Sequence, residues 1–113
     1  MRRIVMPDKA PWRDNIELIQ NYQKHKTFTY TTTSSSAEDA VLLAGNMEEC
    51  NKVSFIVESG AAYIEFDGDA TTSTMYVPQD EGYFDDSIWF GTKISIIRAT
   101  GTNARIRGIL WGR

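Results

Sequence analysis

Apolar and polar positions alternate with a period of two along most of the chain, the spacing of half-buried strands rather than of helices. The clearest case is the C-terminal stretch. Lys93-Ile94-Ser95-Ile96-Ile97-Arg98-Ala99 and Ala104-Arg105-Ile106-Arg107-Gly108-Ile109-Leu110-Trp111 are β-branched runs joined by Thr100-Gly101-Thr102-Asn103. Gly101 and Asn103 supply residues that accept positive φ, so the stretch predicts a hairpin. A three-residue loop over 101–103 pairs Ile94 with Leu110, Ile96 with Gly108 and Arg98 with Ile106 on one face. Lys93, Ser95, Ile97, Arg105, Arg107, Ile109 and Trp111 then share the other face. A four-residue loop opposes Arg98 to Arg105, a like-charge pair that disfavours it. The second face mixes apolar residues with arginines. That suits a protein contact anchored by Arg and Trp, and equally an Arg pair snorkelling over a half-buried strand.

Upstream, Thr27-Phe28-Thr29-Tyr30-Thr31-Thr32-Thr33 alternates aromatic and hydroxyl residues, and Val41-Leu42-Leu43 is a short apolar run ending at Gly45. Val53 to Glu58 and Ala61 to Phe66 flank a Ser59-Gly60 connection and predict a second hairpin, with Ile64 and Phe66 facing the core. Asp67-Gly68-Asp69 makes a turn, and Met75-Tyr76-Val77 is a strand stopped by Pro78. Residues 79–86 read as an acidic loop displaying Tyr83 and Phe84, and Ile88-Trp89-Phe90 as a brief strand. About eight short strands separated by Gly, Pro and Asx turns indicate an all-β single domain, an antiparallel β-sandwich or jelly roll spanning 27–113. Residues 1–26, with Pro7 and Pro11, read as an extended N-terminal arm. Within it, Asp14 and Glu17 have the spacing of a capping box, while Ile16, Leu18, Gln20 and Tyr22 alternate as a strand does.

The chain of 113 residues is long enough to bury a core without staples, and its single cysteine, Cys50, rules out an internal disulfide. No apolar stretch approaches the roughly 18 residues of a membrane span, and no apolar region follows Arg2 and Arg3 as in a signal peptide, so neither membrane insertion nor secretion is expected. The net charge of −3 conceals segregation: residues 1–26 carry +3, residues 38–86 carry −11 and residues 87–113 carry +5. A nucleic-acid binder shows an overall basic excess, which this chain lacks. The pattern suits pairing of acidic loops with basic strands, within one copy or between neighbours.

No catalytic motif is visible. His25 is the sole histidine, and nothing around it or Cys50 resembles the flanks of an activated nucleophile. Glu65, Asp67, Asp69, Asp80, Glu81, Asp85 and Asp86 supply oxygens for a hard cation, but their spacing is not that of an EF-hand loop. The expectation is a binding protein without catalytic residues, cofactor or metal. Its contact residues are expected to be Arg2, Arg3, Trp12 and Arg13 of the arm, Tyr83 and Phe84 of the acidic loop, and Ile97, Arg105, Arg107, Ile109 and Trp111 of the last hairpin.

Several segments together resemble small β-sandwich virion proteins of tailed bacteriophages. They are Tyr63-Ile64-Glu65-Phe66-Asp67-Gly68-Asp69-Ala70-Thr71, Met75-Tyr76-Val77-Pro78, Lys93 to Ala99 and Asn103-Ala104-Arg105-Ile106-Arg107. The family includes capsid decoration (cement) proteins and short head or tail accessory proteins, and the likeness covers residues 53–113. It implies a structural protein of the virion, assembled in the host cytoplasm. The implied partners are the major capsid protein or another virion protein and further copies of the chain, as a dimer or trimer, with no catalytic residue. The alternative is a carbohydrate-binding or host-adhesion module of a phage tail or head fibre, using Tyr83, Phe84 and Trp89.

Overall fold

A computed structural model describes residues 24–113. They form eight strands: β1 (Lys24–Thr31), β2 (Glu38–Leu42), β3 (Cys50–Glu58), β4 (Ala62–Phe66), β5 (Met75–Val77), β6 (Glu81–Asp85), β7 (Lys93–Arg98) and β8 (Arg105–Gly112). Two four-stranded antiparallel sheets result, sheet I in the order β1-β8-β3-β6 and sheet II in the order β2-β7-β4-β5. The described residues contain no helix, and so none long and apolar enough to cross a membrane.

The pairing is nested. β4 pairs with β5, β3 with β6, β2 with β7 and β1 with β8, so the chain is one long hairpin whose tip is the loop after Phe66. Folding that hairpin over itself brings β3 beside β8 and β4 beside β7, which completes the two sheets. This is the jelly-roll arrangement, and the predicted all-β antiparallel sandwich is the observed fold. Alternate residues of both sheets fill one core, including Val53, Phe55 and Val57 of β3, Ile64 of β4, Ile94 and Ile96 of β7, and Ile106 and Leu110 of β8.

Both predicted hairpins are corrected. β7 and β8 lie in different sheets, as do β3 and β4, so each short connection is a corner that crosses from one sheet to the other. Ile94 and Ile96 therefore face Ile106 and Leu110 across the core rather than pairing with them side by side. The corners fit because small residues line them: Ala61, Ala62 and Ala104 are buried, and Ser59 takes a left-handed φ of 70°. They are also laced together, the Ala99 N–H donating to the Ala61 carbonyl at 2.9 Å. A Cβ on Gly60 would sit 3.0 Å from the Thr102 carbonyl oxygen, so a side chain there would press the two corners apart.

Three smaller expectations also change. The acidic loop contains strand β6, which Asp80 opens with a φ of 65° and an N–H donated to the Val57 carbonyl. Its acids sit on a sheet edge, where charge stays solvated and discourages further pairing. Ile88-Trp89-Phe90 is not a strand, only an isolated bridge between Phe90 and Cys50. Lys24, His25 and Lys26 belong to β1, ahead of the expected domain start at residue 27. The rest of the arm, its capping box and the contacts assigned to Arg2, Arg3, Trp12 and Arg13 lie outside the described residues.

Candidate protein-contact surface

Because β8 is central in sheet I, its outward residues define the middle of that face. Arg105, Arg107, Ile109 and Trp111 point outward between the buried Ile106 and Leu110, as the alternation predicts. On β3 their neighbours are Glu58 opposite Arg105, Ile56 opposite Arg107, Ser54 opposite Ile109 and Lys52 opposite Trp111. On β6, Phe84 stands beside Ser54. On β1, the neighbours of Trp111, Ile109, Arg107 and Arg105 are His25, Thr27, Thr29 and Thr31, all exposed.

The surface divides into two zones. In one, the Lys52 ammonium lies 4.6 Å from the Trp111 ring centroid and 5.8 Å from that of Phe84, a cation held between two aromatic rings. Phe84 remains 59% exposed and Ile56 38%, so the apolar part of this zone is open to solvent. In the other zone Glu58 joins Arg107 in a close ion pair and lies 3.5 Å from Arg105. Both arginines stay about half exposed, leaving donor capacity for an external carboxylate.

The remaining predicted contacts are dispersed. Ile97 lies on sheet II, next to Tyr63, whose ring is 5.4 Å from that of Tyr76. The Tyr83 ring turns to the core, 5.5 Å from Phe55 and 6.2 Å from Phe66, with its hydroxyl donating to Asp85. Burial, with the bond to Asp85 second, pushes the Tyr83 phenol up. Tyr83 and Phe84 therefore point to opposite sides of β6, as adjacent strand residues must. Trp89 is 65% exposed, and its indole N–H donates to Glu49, which also accepts from Arg113. The Trp89 bond, followed by Arg113, holds the Glu49 carboxyl below its usual range. Tyr83, Phe84 and Trp89 do not share one sugar-stacking platform.

Lys52, Ile56 and Glu58 carried no signal of their own in the sequence. They join the surface only because β3 lies beside β8, whereas an actual β7–β8 hairpin would have put β7 there.

The groups considered for chemistry have structural partners. Cys50 is fully buried and its thiol donates to the Lys52 carbonyl; burial pushes its pKa up. His25 lies across β8 from it and on the outer face, so the two form no dyad. Asp67 accepts the N–H groups of Gly91, Thr92 and Lys93; burial opposes its ionisation, but these bonds outweigh it and lower the pKa. Asp69 and Asp39 bind Lys93 at 2.8 and 3.0 Å. No group of three or more His, Cys, Asp or Glu among the described residues is placed to hold a metal ion. The ion pairs at Lys93, Glu58 and Glu49 each join the acidic middle of the sequence to its basic end, the intramolecular form of the expected pairing.

No family model, no curated protein and no solved structure matches the chain.

Proposed function

We propose that this chain is a bacteriophage virion structural protein, a decoration protein that binds and stabilises the capsid exterior. The observation that carries the reading is the open outer face of sheet I. There Trp111, Lys52, Phe84 and Ile56 form an aromatic, cationic zone beside the half-exposed Arg105 and Arg107. Such a face combines the anchor residues of protein contacts with a polar rim. Binding repeated over a lattice adds modest contacts into strong occupancy, which suits a broad face rather than a deep cleft. The resemblance of residues 53–113 to phage virion sandwiches points the same way.

Co-sedimentation with capsids that lack the protein tests the reading. Saturable pelleting is expected, with Trp111→Ala and Phe84→Ala each weakening binding about tenfold or more while Tyr76→Ala, on sheet II, leaves it unchanged. Absence of saturable pelleting, or equal loss from all three variants, would overturn it.

A further inference from the structure

We infer that the outer edge of β1 is a self-association site, pairing antiparallel with β1 of a second copy about a two-fold axis at Phe28. Among the described residues the sandwich has four strand edges, β1 and β6 in sheet I and β2 and β5 in sheet II. β5 is only three residues long, and β2 is interrupted by a bulge between Asp39 and Val41. β6 carries Glu81 and Asp85 at its two ends, so a self-pair would set these acids against each other. β1 runs for eight residues in unbroken register with β8 and contains neither proline nor bulge. Its basic residues, Lys24, His25 and Lys26, are confined to one end. Long, regular edges of this kind are the ones that accept another strand.

The register follows from two constraints. Thr32 donates its N–H to the Ala104 carbonyl, continuing the β1–β8 ladder. Alternation then aims the backbone groups of Tyr30, Phe28 and Lys26 at β8, and those of His25, Thr27, Thr29 and Thr31 away from it. Two copies in one sheet must also match inner face to inner face, so a symmetric pairing has its axis at a residue, not between residues. An axis at Phe28 sets Thr27 against the second copy's Thr29 and His25 against its Thr31. All four outward-facing residues of both copies are then bonded. An axis at Thr29 sets His25 against Thr33, beyond the strand, and an axis at Thr27 sets Thr31 against a position outside the described residues. The Phe28 register also brings Lys26 opposite the second copy's Tyr30, whose hydroxyl donates to Glu38 at 2.5 Å. A cation thus meets a carboxylate, and no like charges are opposed.

Pairing would join the two copies of sheet I into one eight-stranded sheet, setting their Trp111–Lys52–Phe84 zones on one continuous face. The inference stands on strand geometry and does not depend on the capsid reading.

Light scattering of the full chain should give twice the 12.8 kDa chain mass, falling towards monomer on dilution. Thr29→Pro removes only an edge N–H and leaves the β8 ladder intact, a position where a strand tolerates proline. It should weaken the dimer on the order of 30-fold with circular dichroism unchanged, while Thr29→Ala stays dimeric. In the unmodified protein, the amides of Thr27 and Thr29 should become protected from hydrogen exchange as concentration rises. A monomer at every concentration, a trimer, a Thr29→Pro variant that dimerises normally, or amides of Thr27 and Thr29 that exchange freely in the dimer would each overturn the proposal.

Discussion

Ser54 and Ser95 occupy equivalent places, each facing outward from an inner strand of its sheet, yet their surroundings differ. Ser95 is fully buried because the loop after β4 folds back over sheet II: Ala70 is buried there and donates its N–H to the Ser95 hydroxyl at 2.9 Å. Lys93 fastens the same loop through Asp69 and ties it to β2 through Asp39. Among the described residues Ser54 has no such cover, and it sits between Ile109 and Phe84 on the outer face of sheet I. Within the described residues, one sheet closes over its own outer surface and the other leaves its outer surface available. The difference is made by a loop and not by the strands, whose alternation is the same.

The comparison can be broken most forcefully at the centre of sheet I. Gly108 lies between Phe28 and Phe55 in the pairing of β8, and a Cβ there would stand 2.1 Å from the Ser54 carbonyl oxygen and 2.6 Å from the Phe55 Cβ. Gly108→Ala is expected to cost about 3 kcal/mol or more in urea unfolding, because backbone must shift to admit the methyl group. An effect below about 1 kcal/mol would show that the sheet yields easily at this point.

The two serines give a sharper test. Ser95→Ala leaves the buried Ala70 N–H without its acceptor, so a loss of about 1–3 kcal/mol is expected. Ser54→Ala should stay within about 0.5 kcal/mol of the parent. Equal effects at the two positions would contradict the contrast between a roofed and an open face.

A smaller, pH-dependent effect is expected at the corner between β1 and β2. Burial opposes ionisation of Glu38, but hydrogen bonds from Tyr30, from the Thr33 N–H and hydroxyl, and from the Ser34 N–H outweigh it and lower the pKa from 4.5 to about 2. A carboxyl lowered on folding stabilises fully above its unfolded value and loses that contribution as pH falls through the folded one. The melting temperature should therefore fall as pH drops from 4.5 towards about 2, and Glu38→Gln should flatten that slope. Asp67 is lowered in the same sense, so a residual slope is expected in the variant. An unchanged slope would mean that the corner does not couple to unfolding.

Much of the strand pattern was legible because alternation follows directly from which residues must avoid water. Met75 to Val77, the inward Ile64 and the outward Arg105, Arg107, Ile109 and Trp111 all follow from it. β6 was missed because Glu81 and Asp85 give an edge strand the composition of a loop. Tyr83 was misplaced with it, since the side on which a residue falls is undefined until the strand is recognised.

The sequence by itself determined an all-β chain, the location of most of its strands and the face each residue of β8 would present. The tertiary structure decided which strands lie side by side. Ladder bonds join backbone groups that every residue carries, so they leave no mark on side-chain pattern. Ser59-Gly60 and Thr100 to Asn103 are short enough for hairpins and also suffice as corners between sheets. Only the packing of a single core between two sheets selects the second use, and with it the placing of Lys52, Ile56 and Glu58 beside β8.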